Sequence, residues 1–327
     1  FWATSCGPCV GTIKRMKKTR AAYKNHPDID FVFITSKNAS PEKTYAKFIK
    51  NQELVNTYKV PSDEFNYLRQ LFKFNGIPKV IWIYWHTGFD TAPLLVKQCL
   101  ASWRKHHPDW KIQLLDQHNL DEFVDRSGYP ELPNFKMQYG SDLIRLDLLT
   151  KYGGVWADST TFCTKPLESW LSDYLIDGLF AFDSIKKDRW VQNWFIAANK
   201  QSPLIQLWKE ATFNQFRMTN YREMGYWSRQ AVRKLMSMRK RGKIDNDFWF
   251  SDLMVKTLRI HPYPMVMYVF EYALSKNAAL LAQWNAGKRL VDRDAEELQK
   301  LGIHNAASVE SKAFVDANAA PLYKLNW

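Results

Sequence analysis

Hydrophobic and polar positions fall into two regimes along the chain, and the change comes at Gly76-Ile77-Pro78. Before it, 31–35 (FVFIT) is the short unbroken apolar run of a buried strand. A basic helical pattern precedes it at 10–23, and helical spacings follow at 45–51 and 64–72. After the junction, the Pro-led run at 77–85 (IPKVIWIYW) predicts the first strand of an α/β sheet. Residues 94–106 then show helical spacing through Leu95, Cys99, Ser102 and Trp103, and 110–115 (WKIQLL) alternate as a strand does. Strand, helix, strand is half of a Rossmann-type sheet. No GxGxxG follows the first strand, which argues against a dinucleotide oxidoreductase. The apolar runs, such as 80–84, fall far short of the ~20 residues a spanning helix needs. The chain opens on Phe1, which leaves a leader or anchor ahead of it open.

The 327 residues are 46% hydrophobic and 24% charged, a balance that excludes disordered and fibrous classes. Their net charge of +13 permits nucleic acid, anionic lipid or acidic glycan as a partner. No stretch interleaves aromatic with basic residues as an RNA-binding surface would, so nucleic acid is not expected. The basic excess is also lopsided. Through Lys79 there are 14 Lys+Arg against 6 Asp+Glu, and beyond it 32 against 27. It therefore says little about the substrate of the second region. Fourteen Trp suit either sugar stacking or a large aromatic core. Cys99 and Cys163 stand in apolar surroundings and read as reduced packing residues.

Cys6 and Cys9 differ, because they form Cys-Gly-Pro-Cys just ahead of the first basic helix. A sulfur at a helix N-terminus is stabilised as thiolate by the dipole and the unpaired N–H groups, and a second sulfur two residues on resolves the mixed disulfide. With FWATSCGPC and the following helix, the segment resembles thioredoxin-like proteins of the membrane-tethered thiol–disulfide oxidoreductase type. That resemblance implies Cys6 as attacking thiol, Cys9 as resolving thiol and Pro78 at the cis-proline position. The strand ahead of the motif and the closing hairpin and helix are missing, so the segment is an incomplete thioredoxin-like unit. Zinc binding is the alternative for a lone Cys-X-X-Cys, and a truncated remnant fused to another protein the alternative for the whole segment.

The informative block is 139–167, YGSDLIRLDLLTKYGGVWADSTTFCTKPL. Ser141 is a candidate N-cap, 142–151 read as a helix, and Gly153-Gly154 end it. Asp142 and Arg145 share one face while Leu143, Leu146 and Leu149 point inward. Val155-Trp156-Ala157 then form a short strand with Asp158 at its carboxyl end, where α/β sheets place ligands. This suits transfer from a nucleotide-activated sugar. The departing diphosphate gathers charge, which a carboxylate-held metal and a nearby guanidinium can stabilise. Taken singly, each residue also fits a bland role as a surface pair, a turn acid or a C-cap.

The order SDLIRxxLLxxYGGVWxD is where residues 77–327 resemble the capsular polysaccharide synthesis proteins, relatives of the family 32 glycosyltransferases that include the yeast initiating mannosyltransferase. IPKVIWIYWHTG, SWRKHHPDW and the closing PLYKLNW match as well. The resemblance implies a GT-A, Rossmann-like glycosyltransferase domain at 77–327 behind the thioredoxin-like segment at 1–76. It implies a nucleotide-sugar donor, Mn²⁺ or Mg²⁺, and retention of configuration. Asp142, Arg145 and Asp158 match catalytic positions; Asp142 and Arg145 meet the donor sugar, and Asp158 is the first metal ligand. Thr160 stands where the strict Asp-X-Asp motif has its second acid, and a hydroxyl is a poorer ligand for these ions. Asn193 is a further donor-site candidate and Asp252, in WFSD, a further metal candidate. Asp183, in AFDS, reads equally as a strand-end ligand and a solvated loop acid.

The expected partners are a nucleotide-sugar donor and a glycan or lipid-linked glycan acceptor. The basic run at 233–243 is a solvated face or a peripheral contact with an anionic membrane. The setting would be bacterial capsule assembly on the cytoplasmic side of the inner membrane. The first segment instead suggests an extracytoplasmic place, and its meeting with the second at Gly76–Pro78 raises a recombined reading frame. A thiol–disulfide oxidoreductase acting through Cys6 and Cys9 is the alternative activity, and a non-catalytic glycan-binding protein is the third. Alkylation of Cys6 followed against pH separates the first two: a redox site titrates well below the ordinary ~8.5, and a midpoint near 8.5 removes that reading.

Overall fold

A computed structural model of the chain describes residues 33–36, 57–60, 77–129, 137–219, 224–300 and 320–326. It divides into two compact units, Phe1–Asn75 and Gly76–Trp327. In the first, β1 (Phe33–Ser36) and β2 (Thr57–Val60) pair in parallel. β1 overlaps the strand expected at 31–35; β2 was not anticipated. Cys6, Cys9 and the helices expected at 10–23, 45–51 and 64–72 lie outside the described residues.

The second unit is a mixed α/β structure. Its opening strand β3 (Val80–Tyr84) leads into α1 (Leu94–His106), and α1 returns to β4 (Lys111–Leu115), parallel to β3. Helix α2 (Met137–Tyr152) then crosses back, so that β5 (Gly154–Ala157) adds to the opposite side of β3, again parallel. Between β3 and β5 the connections leave in opposite directions, the place where an open α/β sheet forms a crevice at its carboxyl edge. After the short β6 (Thr161–Cys163), β7 (Leu179–Asp183) and β8 (Val191–Ala198) complete the sheet in the order β4-β3-β5-β8-β7. β8 runs antiparallel to both its neighbours. A separate ribbon joins β6 to β9 (Leu322–Lys324).

Both faces of the sheet are covered, which is why its strands are apolar throughout. Neighbours on a strand point to opposite faces. On β8, Phe195 stacks on Trp103 of α1 (6.1 Å between centroids, 5° between planes), whereas Ile196 joins a core with Trp82 and Leu146. That second core also takes Trp208 of α3 (Pro203–Met218) and Phe270 of α5 (Met265–Ser275). Trp103, Trp156, Trp208, Trp249 and Trp284 are all fully buried, so the Trp content serves mainly the core. Cys99 and Cys163 are free and buried, and burial pushes both thiols up to about 12, as packing residues require. Among the described residues no helix is long and apolar enough to cross a membrane, and no peptide bond is cis, the one before Pro78 included.

Helix α2 starts at least four residues ahead of Ser141, which corrects the N-cap expected there. Gly140 is carried inside the helix. Tyr139 is buried, with its ring edge-on to His261 at 5.1 Å, and this tertiary contact extends the helix past a residue of poor propensity. The other end follows expectation. Gly153, at φ +71°, donates to Leu149 O at 3.0 Å and closes the helix. Gly154 has φ +98°, and a Cβ there would lie 2.4 Å from Val80 Cγ1 and 2.6 Å from Val80 O. A side chain would push β5 off β3. Gly154→Ala is expected to cost about 3 kcal/mol or more, read as a shift in the urea midpoint at unchanged slope.

Candidate functional site

An open cleft of about 240 Å³ lies at the carboxyl edge of β3 and β5. It is lined by Tyr84 at the end of β3 and Trp85 and His86 after it, by Asp158, Ser159 and Thr160 after β5, and by Asp142 and Arg145 from α2. Asn193 of β8 and Lys324 of β9 complete its floor, with Tyr263 and Met267 on one rim. At roughly 300–1,000 Å³, pockets that enclose a whole small ligand are larger than this cleft.

Arg145 organises the cleft. Its side chain is only 5% exposed, and its Nη2 stands 3.2 Å from Asp142 Oδ1 and 3.3 Å from Asp158 Oδ1. Nη1 donates to the carbonyl of Asn193, and Nε to that of Ser141 at 3.3 Å. The Trp156 ring lies 5.0 Å from the guanidinium carbon, and its indole N–H donates to Asp158 Oδ1 at 2.9 Å. The i, i+3 spacing on α2 supplies Asp142, and Asn193 Nδ2 fixes that carboxylate at 2.8 Å. With so many donors turned to the protein, Arg145 positions the two acids, and its expected grip on a ligand is correspondingly small.

Lys324 completes the row. Its Nζ is 3.0 Å from Asp158 Oδ2 and donates to Thr160 Oγ1 at 2.8 Å. Charges therefore alternate along Asp142, Arg145, Asp158 and Lys324. Burial would raise the carboxyl of Asp158, but Lys324 and Arg145 outweigh it and hold the group below its ordinary range. Asp142 goes the other way. Burial, aided by the charge of Asp158 and opposed by Arg145 and the Asn193 hydrogen bond, raises it to about 6.

The residues do not fit the divalent ion expected from the sequence. Such ions need several oxygen ligands, carboxylates above all. Both oxygens of Asp158 are engaged, the Thr160 hydroxyl accepts from an ammonium, and that ammonium bridges the two side chains meant as ligands. Among the described residues no group of three His, Cys, Asp or Glu is placed to hold a metal. Asp252 is far from any such role: its side chain is 80% exposed and pairs with Lys256 at 2.9 Å. Asp183 ends β7 and pairs with Arg289 at 3.1 Å in a separate hollow.

Comparison with known proteins follows the same line. A family profile described as capsular polysaccharide synthesis protein matches residues 29–261. The chain belongs to this family. The match starts well ahead of Ile77, where the resemblance read from the sequence begins, and stops short of Lys324. An O-glycosyltransferase of Annulohypoxylon truncatum is 33% identical over 153 residues, 40% of this chain and 36% of that protein. A glycosyltransferase of Aspergillus fumigatus is 28% identical over 151 residues, covering 40% and 38%. An initiation-specific alpha-1,6-mannosyltransferase of Candida albicans is 26% identical over 149 residues, covering 42% and 36%. The chain thus spans little more than a third of the length of these relatives. They are fungal, which lends the bacterial setting no support. The solved structure of a PaToxG glycosyltransferase covers 78% of this chain and 91% of its own, at 15% identity and a TM-score of 0.33, too distant to bear on the fold.

Of the expected residues, Asp142, Arg145, Asp158, Thr160 and Asn193 meet in the cleft, and Asp252 does not. Tyr84, Trp85, His86 and Lys324 were missed as site residues. The first three stand at the end of the strand expected at 77–85, where the carboxyl-edge rule, applied there only to Asp158, could have found them. Nothing local flagged Lys324. The basic run at 233–243 divides: Arg233, Lys234, Lys240, Arg241 and Lys243 are exposed, as are Tyr226 and Trp227 at the start of α4 (Tyr226–Lys240). Arg239 instead turns inward, 2.6 Å from buried Glu271.

The raised Asp142 carries a linkage of defined sign. Between the ordinary 3.8 and about 6, the folded protein binds this proton more tightly than the unfolded chain. Stability therefore falls as pH rises across that window. Asp142→Asn imitates the protonated acid. In urea unfolding at a series of pH values, the variant is expected to gain on the wild type from pH 4 to 6 and then level off; a gain on the acid side instead would show the carboxyl lowered, not raised.

Proposed function

We propose that this cleft transfers a sugar from a nucleoside-diphosphate donor to a hydroxyl of a glycan or lipid-linked glycan, with retention of configuration. One observation carries the reading: the row Asp142, Arg145, Asp158, Lys324 at the carboxyl switch point of the sheet, in a chain of this family. The names of the relatives as glycosyltransferases support it.

In the reaction the bond from the anomeric carbon to the β-phosphate oxygen breaks, and its electron pair stays with the diphosphate. The acceptor oxygen bonds to the anomeric carbon, and its proton passes to the departing phosphate oxygen or to solvent. Negative charge thus grows on the diphosphate, and a fixed cation in a partly dry cleft lowers that cost. Asp142 offers a carboxylate to sugar hydroxyls, held by Arg145 and Asn193 so that it needs little reorganisation when the donor arrives.

A panel of UDP- and GDP-sugars incubated with the full chain tests this, with release of nucleoside diphosphate as the readout. Slow hydrolysis of at least one donor is expected, rising with pH through about 6 as Asp142 ionises. Asp142→Asn should lower the rate roughly 100-fold and remove that limb. No binding and no hydrolysis across the panel would sink the proposal.

A further inference from the structure

We infer that Lys324 stands in for the divalent ion, and that its ammonium receives the leaving diphosphate. The inference rests on the sugar-transfer reading above and adds to it the identity of the cation. The ammonium sits between Asp158 Oδ2, at 3.0 Å, and Thr160 Oγ1, at 2.8 Å, the two side chains that the sequence offered as ligands.

The charge count explains why Thr160 is not an acid. A divalent ion held by two carboxylates leaves the site neutral. A lysine held by one carboxylate and one hydroxyl also leaves it neutral. Exchanging the second acid for Thr160 and the metal for Lys324 are therefore matched changes. With two carboxylates, the lysine alone would leave a negative site facing a diphosphate, which repels it.

The backbone fixes the ammonium as firmly as a ligand set would. Lys324 lies opposite Thr161 in the β6–β9 ribbon, and Leu325 N donates to Thr160 O at 2.9 Å. Its neighbours Tyr323 and Leu325 are buried against Leu95 and Cys99 of α1. A lysine has three N–H donors. Two go to Asp158 and Thr160, and the third remains for a phosphate oxygen in the cleft that Lys324 lines. Asp158 then acts as the anchor of a cation belonging to the chain itself. When the bond to the anomeric carbon breaks, the electron pair stays on the β-phosphate oxygen beside this ammonium, and Lys324 keeps its proton throughout.

The test measures binding of UDP and GDP to the full chain by calorimetry, in excess EDTA and in millimolar Mn²⁺, with uridine and guanosine as phosphate-free controls. The tighter diphosphate is expected to bind with the same Kd in both buffers, within about threefold. Lys324→Met should weaken it roughly 10- to 100-fold and leave the nucleoside unchanged, while Lys324→Arg keeps part of the affinity. Equal weakening of diphosphate and nucleoside would assign Lys324 a merely structural part and overturn the inference, as would an unaffected Lys324→Met. Wild-type binding that collapses in EDTA and returns with Mn²⁺ also overturns it, and leaves sugar transfer standing. If neither diphosphate binds in either buffer, both readings fall. Should Lys324→Met not fold, as circular dichroism would reveal, the EDTA comparison on the wild type still decides.

Discussion

The structure of the cleft depends on one buried guanidinium. Arg145 is almost wholly out of water, and it is tolerated there because two carboxylates, two backbone carbonyls and an indole face surround it. Each partner comes from a different part of the sheet: α2 itself, the end of β5 and the start of β8. The ion therefore acts as a gauge. Only one arrangement of those three elements satisfies it, and any slip would strand a charge in the interior, at a cost of about 3–5 kcal/mol. Arg145 favours the charged form of both acids; burial still raises Asp142, whereas Lys324 adds to Arg145 in holding Asp158 below its ordinary range.

How much of this could be read from the sequence follows from distance along the chain. Asp142, Arg145 and Asp158 lie within one helix–turn–strand unit, where the 3.6-residue period and the paired glycines fix their relation. Helix α1 and the parallel strands beside it were legible for the same reason. The start of α2 was not, because Tyr139 is held by His261 from a distant segment, which local propensity cannot register. Lys324 is the extreme case. It stands 166 residues from Asp158, and its motif PLYKLNW drew notice only as a family likeness. Asp252 erred in the opposite direction: a plausible motif, WFSD, whose Trp249 is drawn into the core while the acid faces water.

The cation side of the cleft was hard to read for a related reason. A motif read along one strand reports which ligands a turn offers and says nothing of what another strand brings to them. Here the turn after β5 offers Asp158 and Thr160, and β9 brings Lys324 to both of them. Thr160, which looked like a defect beside a strict two-acid motif, becomes intelligible once the charge of Lys324 is counted.

The reversed strand β8 has a consequence for motion. Because it runs against β5, its first residues lie at the carboxyl edge, and Asp158 N donates to Trp194 O at 2.8 Å within the ladder. The floor of the cleft is thus sheet, not loop. Its amides are tied to those of the core strands, and they open only when those strands open. Whatever moves to admit and release a ligand is therefore left to the rim, where Tyr263 is more than half exposed, because Tyr323 and Leu325 anchor the ribbon that carries Lys324 in the core. A rigid floor under an open rim allows entry without loosening the buried charge at its centre.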